Sequence, residues 1–74
     1  MPDVQIDCKG QSCPMPIVNI SRAMKKMGVG QRLGVEASDP AFRADLEAWC
    51  HKMGHELQSF EPGDVATAVI LKRK

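Results

Sequence analysis

The chain contains no tyrosine, one tryptophan and two phenylalanines among its 74 residues. Three aromatic rings leave no stacking platform for single-stranded nucleic acid. Charge of one sign is also missing in excess. Ten Lys and Arg against nine Asp and Glu give a net charge of +1, which excludes the broad basic footprint of a nucleic-acid binder. No stretch approaches the ~20 apolar residues of a membrane span. Met1-Pro2-Asp3 has no basic n-region and no long apolar run behind it, so a secretory signal is not expected. Cysteine is scarce and odd in number, at Cys8, Cys13 and Cys50. That argues against a disulfide framework and for reduced thiols in a cytoplasmic protein.

What is present is ordinary for a folded domain: 43% hydrophobic and 26% charged residues. Residues 1–74 read as one domain with one core, and a monomer is expected. A chain of about this size buries only ~60% of its unfolded surface. A deep, enclosed active site does not fit, so chemistry is expected on an exposed side chain held by a rigid element. The terminal run Lys72-Arg73-Lys74 reads as a solvated tail.

Val4, Ile6 and Cys8 alternate with Gln5 and Asp7, the period of a half-buried strand. After a Gly10-Gln11-Ser12 loop, Cys13-Pro14-Met15-Pro16 leads into Ile17, Ile20, Met24 and Met27, one face of a helix. Gly28 reads as its stop. A second strand runs from Arg32 to Ala37, with Leu33, Val35 and Ala37 on one face. Asp39 is expected to cap a second helix with Pro40 at its first position. Phe42, Leu46, Trp49, Cys50 and Met53 form the apolar stripe of that helix, and Gly54 ends it. His55 to Glu61 and Val65 to Lys72 read as a hairpin, with Pro62-Gly63 in a type II turn. Both early strands are polar on their second face, whereas a sheet covered on both sides reads as continuous apolar runs. The order β-α-β-α-β-β therefore predicts an α/β two-layer sandwich with both helices on one sheet face.

Cys13 stands where a loop becomes a helix. Free N–H groups and the positive end of the dipole favour an anion there, and such placement can lower a thiol pKa. Pro14 and Pro16 remove two donors but stiffen the chain around the sulfur. The competing reading is a small apolar residue filling a helix end. Cys8 and Cys50 fall in phase with core positions, although Cys8 leaves open a resolving-thiol role. Asp7 reads as a carboxylate on the polar strand face. Met15 is the methionine set apart from the core, beside the candidate nucleophile, and Arg22 is a further candidate for partner contact. Cys50, His51 and His55 lack the spacing of a metal site, so neither a metal nor a cofactor is expected.

Ile6-Asp7, Gly10 and Cys13-Pro14-Met15-Pro16 together resemble the signature of the TusA-like family, to which SirA-like proteins belong. Ser38-Asp39-Pro40-Ala41 resembles that family's second-helix start, and Trp49-Cys50 through Gly54-His55-Glu56-Leu57 its helix-to-strand passage. The resemblance covers nearly the whole chain. It implies a mixed four-stranded sheet and a single reactive cysteine at Cys13, with Asp7, Gly10, Pro14 and Pro16 as supporting motif residues. It also implies a sulfur carrier that takes a sulfane sulfur from a donor such as a cysteine desulfurase or rhodanese. The sulfur then passes to an acceptor serving tRNA thiolation, cofactor supply or sulfur metabolism. A membrane transporter is a further conceivable partner; direct contact with nucleic acid is not expected. Cys8 departs from many relatives. Two other readings stay open: a thiol-redox protein using Cys8 and Cys13, and a non-catalytic adaptor.

Overall fold

The computed structural model describes residues 2–74. Its elements follow the expected order: β1 (Val4–Cys8), α1 (Met15–Lys26), β2 (Arg32–Ala37), α2 (Phe42–Met53), β3 (Glu56–Glu61) and β4 (Ala66–Leu71). The sheet order is β1-β2-β4-β3. β1 lies parallel to β2, while β4 runs antiparallel to both β2 and β3. The sheet is therefore mixed.

Register explains why one face is apolar. Ile6 stands opposite Val35, Leu33 opposite Ile70, Val35 opposite Ala68, and Ala37 opposite Ala66. Residues directly opposite share a face, and here Leu33, Val35, Ala37, Ala66, Ala68 and Ile70 are all buried. Ile20 and Met24 of α1 and Phe42, Leu46 and Cys50 of α2 close over them. Burying an aliphatic or aromatic side chain contributes about 1.5–3 kcal/mol, so this layer supplies most of the cohesion. On the other face Gln5, Asp7, Ser59, Glu61 and Thr67 are exposed. The Gln5 side chain lies across Gly34, where a Cβ would collide with it.

Four local expectations need correction. α1 does not stop on a left-handed Gly28. It ends at Met27 in extended conformation (φ −95°, ψ 155°), because the Lys72 ammonium takes the final carbonyls instead. α2 begins at Phe42, after a turn in which the Phe42 N–H donates to the Asp39 carbonyl at 3.0 Å. Pro40 thus sits in that turn and not at the first helical position. Gly63 has φ 158°, far from the roughly +80° of a type II turn, so the hairpin closes through an open bend over residues 62–65. Met53 is 45% exposed, since the stripe of α2 drifts off the sheet at its last turn. Gly54 does end α2 in left-handed conformation (φ 77°), its N–H donating to the Cys50 carbonyl.

Candidate functional site around Cys13

Because β1 and β2 are parallel, their C-terminal ends lie side by side, and both helices begin at that end of the sheet. The two strand-to-helix loops meet there. Asp7 shapes the first: its Oδ1 accepts the Lys9 N–H at 2.9 Å, and its Oδ2 lies 3.8 Å from the Lys9 ammonium. Gly10 then takes φ 79°, a conformation that a side chain disfavours. The Gln11 N–H donates back to the Cys8 carbonyl at 3.2 Å, and Asn19 of α1 donates to Gln11 Oε1 at 2.7 Å.

The second loop pins the first. Ser38 Oγ accepts the Gly10 N–H at 2.9 Å, and Asp39 Oδ2 accepts the Cys13 N–H at 3.0 Å. The other Asp39 oxygen accepts the Ala41 N–H at 3.3 Å. One carboxylate thus ties the start of α2 to the backbone of Cys13. The Cys13–Pro14 peptide is cis, Pro14 and Met15 are exposed, and Pro16 is buried in the first turn of α1.

Cys13 is the exposed thiol of the three; Cys8 and Cys50 are 0% and 3% exposed. All three are free. Cys8 and Cys50 are thus buried, as their phase with the core positions of β1 and α2 predicts. The electrostatics at Cys13 reverse the expectation. A hydrogen bond to the Asp45 carboxylate raises its pKa first, then desolvation and the charges of Asp45 and Asp39. A carboxylate that accepts the thiol proton stabilises the neutral form. The helix start does not lower the Cys13 pKa here, because Asp45 of α2 and Asp39 of the preceding loop bring two negative charges to the same spot. Burial pushes Cys50 to about 11. Cys8 is also raised by burial, against a lowering hydrogen bond from Asn19 and a further raising charge on Asp7.

Asp45 and Ser38 were not singled out by their own chemistry, and Asp39 was read only as a helix cap. Asp45 carries no sequence signal: an acid in the first turn of a helix is ordinary. Arg22 stands seven residues beyond Met15 on α1, about 10 Å along the axis at ~1.5 Å per residue. It flanks a different groove from the loop that holds Cys13. Of the residues weighed for metal binding, Cys50 is buried. The His55 ring packs 5.4 Å from that of Trp49, and its Nδ1 accepts the Arg73 N–H at 3.3 Å.

The site is an exposed thiol on a doubly tied loop, carried by a two-layer sheet-and-helix scaffold. The chain belongs to the sulfurtransferase TusA family, whose model matches residues 4–73. YrkI of Bacillus subtilis is 42% identical over 64 residues, covering 85% of each chain. The sulfur carrier protein TusA of Pseudomonas putida is 36% identical over 56 residues, covering 76% of this chain and 70% of that one. YrkF of Bacillus subtilis is 45% identical over 53 residues, which are 72% of this chain but 29% of that protein. The chain thus spans about a third of some of the curated relatives it matches. A crystal structure of the SirA-like protein from Desulfitobacterium hafniense has the same fold, with a TM-score of 0.81 at 23% identity, covering 96% of this chain and 99% of that one. No helix among the described residues is long and apolar enough to cross a membrane.

Proposed function

We propose that this protein carries sulfane sulfur as a persulfide on Cys13, within a relay between a donor protein and an acceptor protein. The single observation that carries the reading is the contrast among the thiols. Cys13 is exposed on a loop fixed by Asp39 and Ser38, while Cys8 and Cys50 are closed off in the core. In the loading step the Cys13 thiolate attacks the outer sulfur of a donor persulfide. The donor S–S bond breaks, its electron pair leaves with the donor thiolate, and a new S–S bond forms on Cys13. The oxidation level is carried across with the sulfur, so no outside oxidant is needed. Asp45 is positioned to take the Cys13 proton as the thiolate forms. Attack on sulfur then depends on thiolate fraction, leaving group and access, and the open loop provides the access.

A cysteine desulfurase with cysteine, or a rhodanese with thiosulfate, is the donor class that fits, in the reducing cytoplasm that three free thiols suit. Intact-mass analysis after incubation should show one added sulfur, located on the Cys13 peptide and released by reductant. Cys13→Ser should not load, whereas Cys8→Ser and Cys50→Ser should. Loading of Cys13→Ser at the parent level, or failure with both donors, overturns the proposal. A two-thiol redox role fits less well, because Cys8 is fully buried.

A further inference from the structure

The two edges of the sheet are unlike. β3 carries a register shift between Leu57 and Ser59, a device that bends an edge and disfavours added strands. β1 pairs with β2 in unbroken register along its length and leaves its other side without a strand. Beside that open edge runs a groove of about 570 Å³ between β1 and α1. Val4, Ile6, Ala23 and Met27 give it apolar walls, and Arg22 and Lys26 stand over it.

Neither Arg22 nor Lys26 has a carboxylate partner within 4.0 Å among the described residues, so both charges over the groove are left for an outside group. Both are exposed. Like charges four residues apart on a helix repel, so an anion bound between Arg22 and Lys26 would be attracted by both. Four residues span ~6 Å of helix, and alternate residues of a strand lie ~6.6–6.8 Å apart. The two spacings nearly match.

We propose that the open edge of β1 and this groove receive an extended segment of a partner protein as an added strand, with two carboxylates two positions apart facing Arg22 and Lys26 and apolar side chains flanking them. Main-chain hydrogen bonds to β1 supply affinity, and the alternating side chains supply selectivity, as in other strand-addition complexes. A second copy of this chain is a poor occupant. Pairing β1 with β1 would bring two Arg22–Lys26 pairs together. The strand that receives the segment continues directly into the Cys13 loop, so a partner held there is anchored close to the thiol. The surface itself does not depend on sulfur transfer.

The probe is a capped Thr-Ile-Thr-Glu-Thr-Glu-Thr-Ile-Thr peptide added to the full chain and followed by amide NMR. Shifts and slowed amide exchange should concentrate on residues 4–8 with Ala23 and Met27. Arg22→Glu combined with Lys26→Glu should weaken binding at least tenfold, and a backbone N-methylated peptide should lose it while keeping every side chain. Cys13→Ser should bind as the parent does, which separates this surface from the persulfide chemistry. No binding at millimolar peptide overturns the proposal. So does equal binding of the N-methylated peptide, or a shift pattern centred on a second groove, which Phe42, Arg43 and Phe60 line beside the β3–β4 bend. Self-association of the free protein through β1 in sedimentation also overturns it.

Discussion

The two ends of α1 are built on opposite plans. At its C-terminal end, the Lys72 ammonium donates to the carbonyls of both Met24 and Met27 at 2.6 Å, and Lys25 and Lys26 add positive charge in the last turn. Those are the groups a helix end leaves unsatisfied, met by the charge its dipole favours. At the N-terminal end there is no side-chain cap and no acidic residue in the first turn. The carboxylates there, Asp39 and Asp45, come from the neighbouring loop and helix and address Cys13. One end is finished for stability. The other is left open, and its stiffness is borrowed from the β2–α2 loop.

The largest expected effect lies at Cys50, in the last turn of the neighbouring α2. The folded state holds Cys50 near pKa 11 by burial, whereas an unfolded thiol titrates near ~8.5. The raised value means that stability from the neutral thiol is complete below ~8.5 and is lost as pH rises toward about 11. The full loss is about 3 kcal/mol at ~1.4 kcal/mol per pKa unit. Urea melts of the parent and Cys50→Ala from pH 7 to 11 should show a weaker alkaline slope in the variant. Parallel slopes would show that Cys50 does not carry this pH dependence.

Next comes Lys72→Met, which keeps the stem but removes the two charge-assisted bonds. It should cost about 2 kcal/mol, or about 8–16 °C in Tm for a domain of this size. Sulfur loading of the folded protein should persist. If loading falls with an unchanged Tm, the two ends are coupled in a way the contrast denies.

Gly10→Ala tests the open end. The added Cβ meets nothing within 4 Å, so its cost is the left-handed backbone alone, about 1–2 kcal/mol. The loop should loosen at Cys13 with a small fall in Tm and slower loading. A large fall in Tm would mean that the loop, too, is a stability element.

The smallest change in stability should come from Asp45→Asn. Removing the carboxylate takes away the hydrogen bond and charge that raise the Cys13 pKa. The midpoint of its alkylation-rate profile should move to lower pH and the rate at pH 7 should rise. The gain should be less than proportional to the extra thiolate, because nucleophilicity falls as pKa falls. A midpoint unmoved by the substitution would show that Asp45 does not control the thiol.

Much of the scaffold was legible because it is written in short-range periodicity. Leu33, Val35 and Ala37 alternate as a strand must, and β2 spans Arg32–Ala37 as expected. Ile20 and Met24 repeat as a helix must, and Cys8 and Cys50 fell in phase with the core. The errors cluster at termini. Gly28, Pro40 and Gly63 were each read from residue type, but at Gly28 the competing partner, Lys72, lay far away in sequence, and at Pro40 a local turn closed on the Asp39 carbonyl took the place of the first helical turn. For Gly63 the open bend at residues 62–65 is observed without a contact that accounts for it.

The sequence by itself determined the element order, the apolar face of each element and the singling out of Cys13, because each is encoded within a few residues of itself. Only the tertiary structure decided the charge environment of that thiol. Parallel pairing of β1 with β2 places the starts of both helices at one end of the sheet, and this brings Ser38, Asp39 and Asp45 to the Cys13 loop. No local pattern records such a meeting. It follows from strand register and helix direction together, and it raises the Cys13 pKa where a helix start alone was expected to lower it.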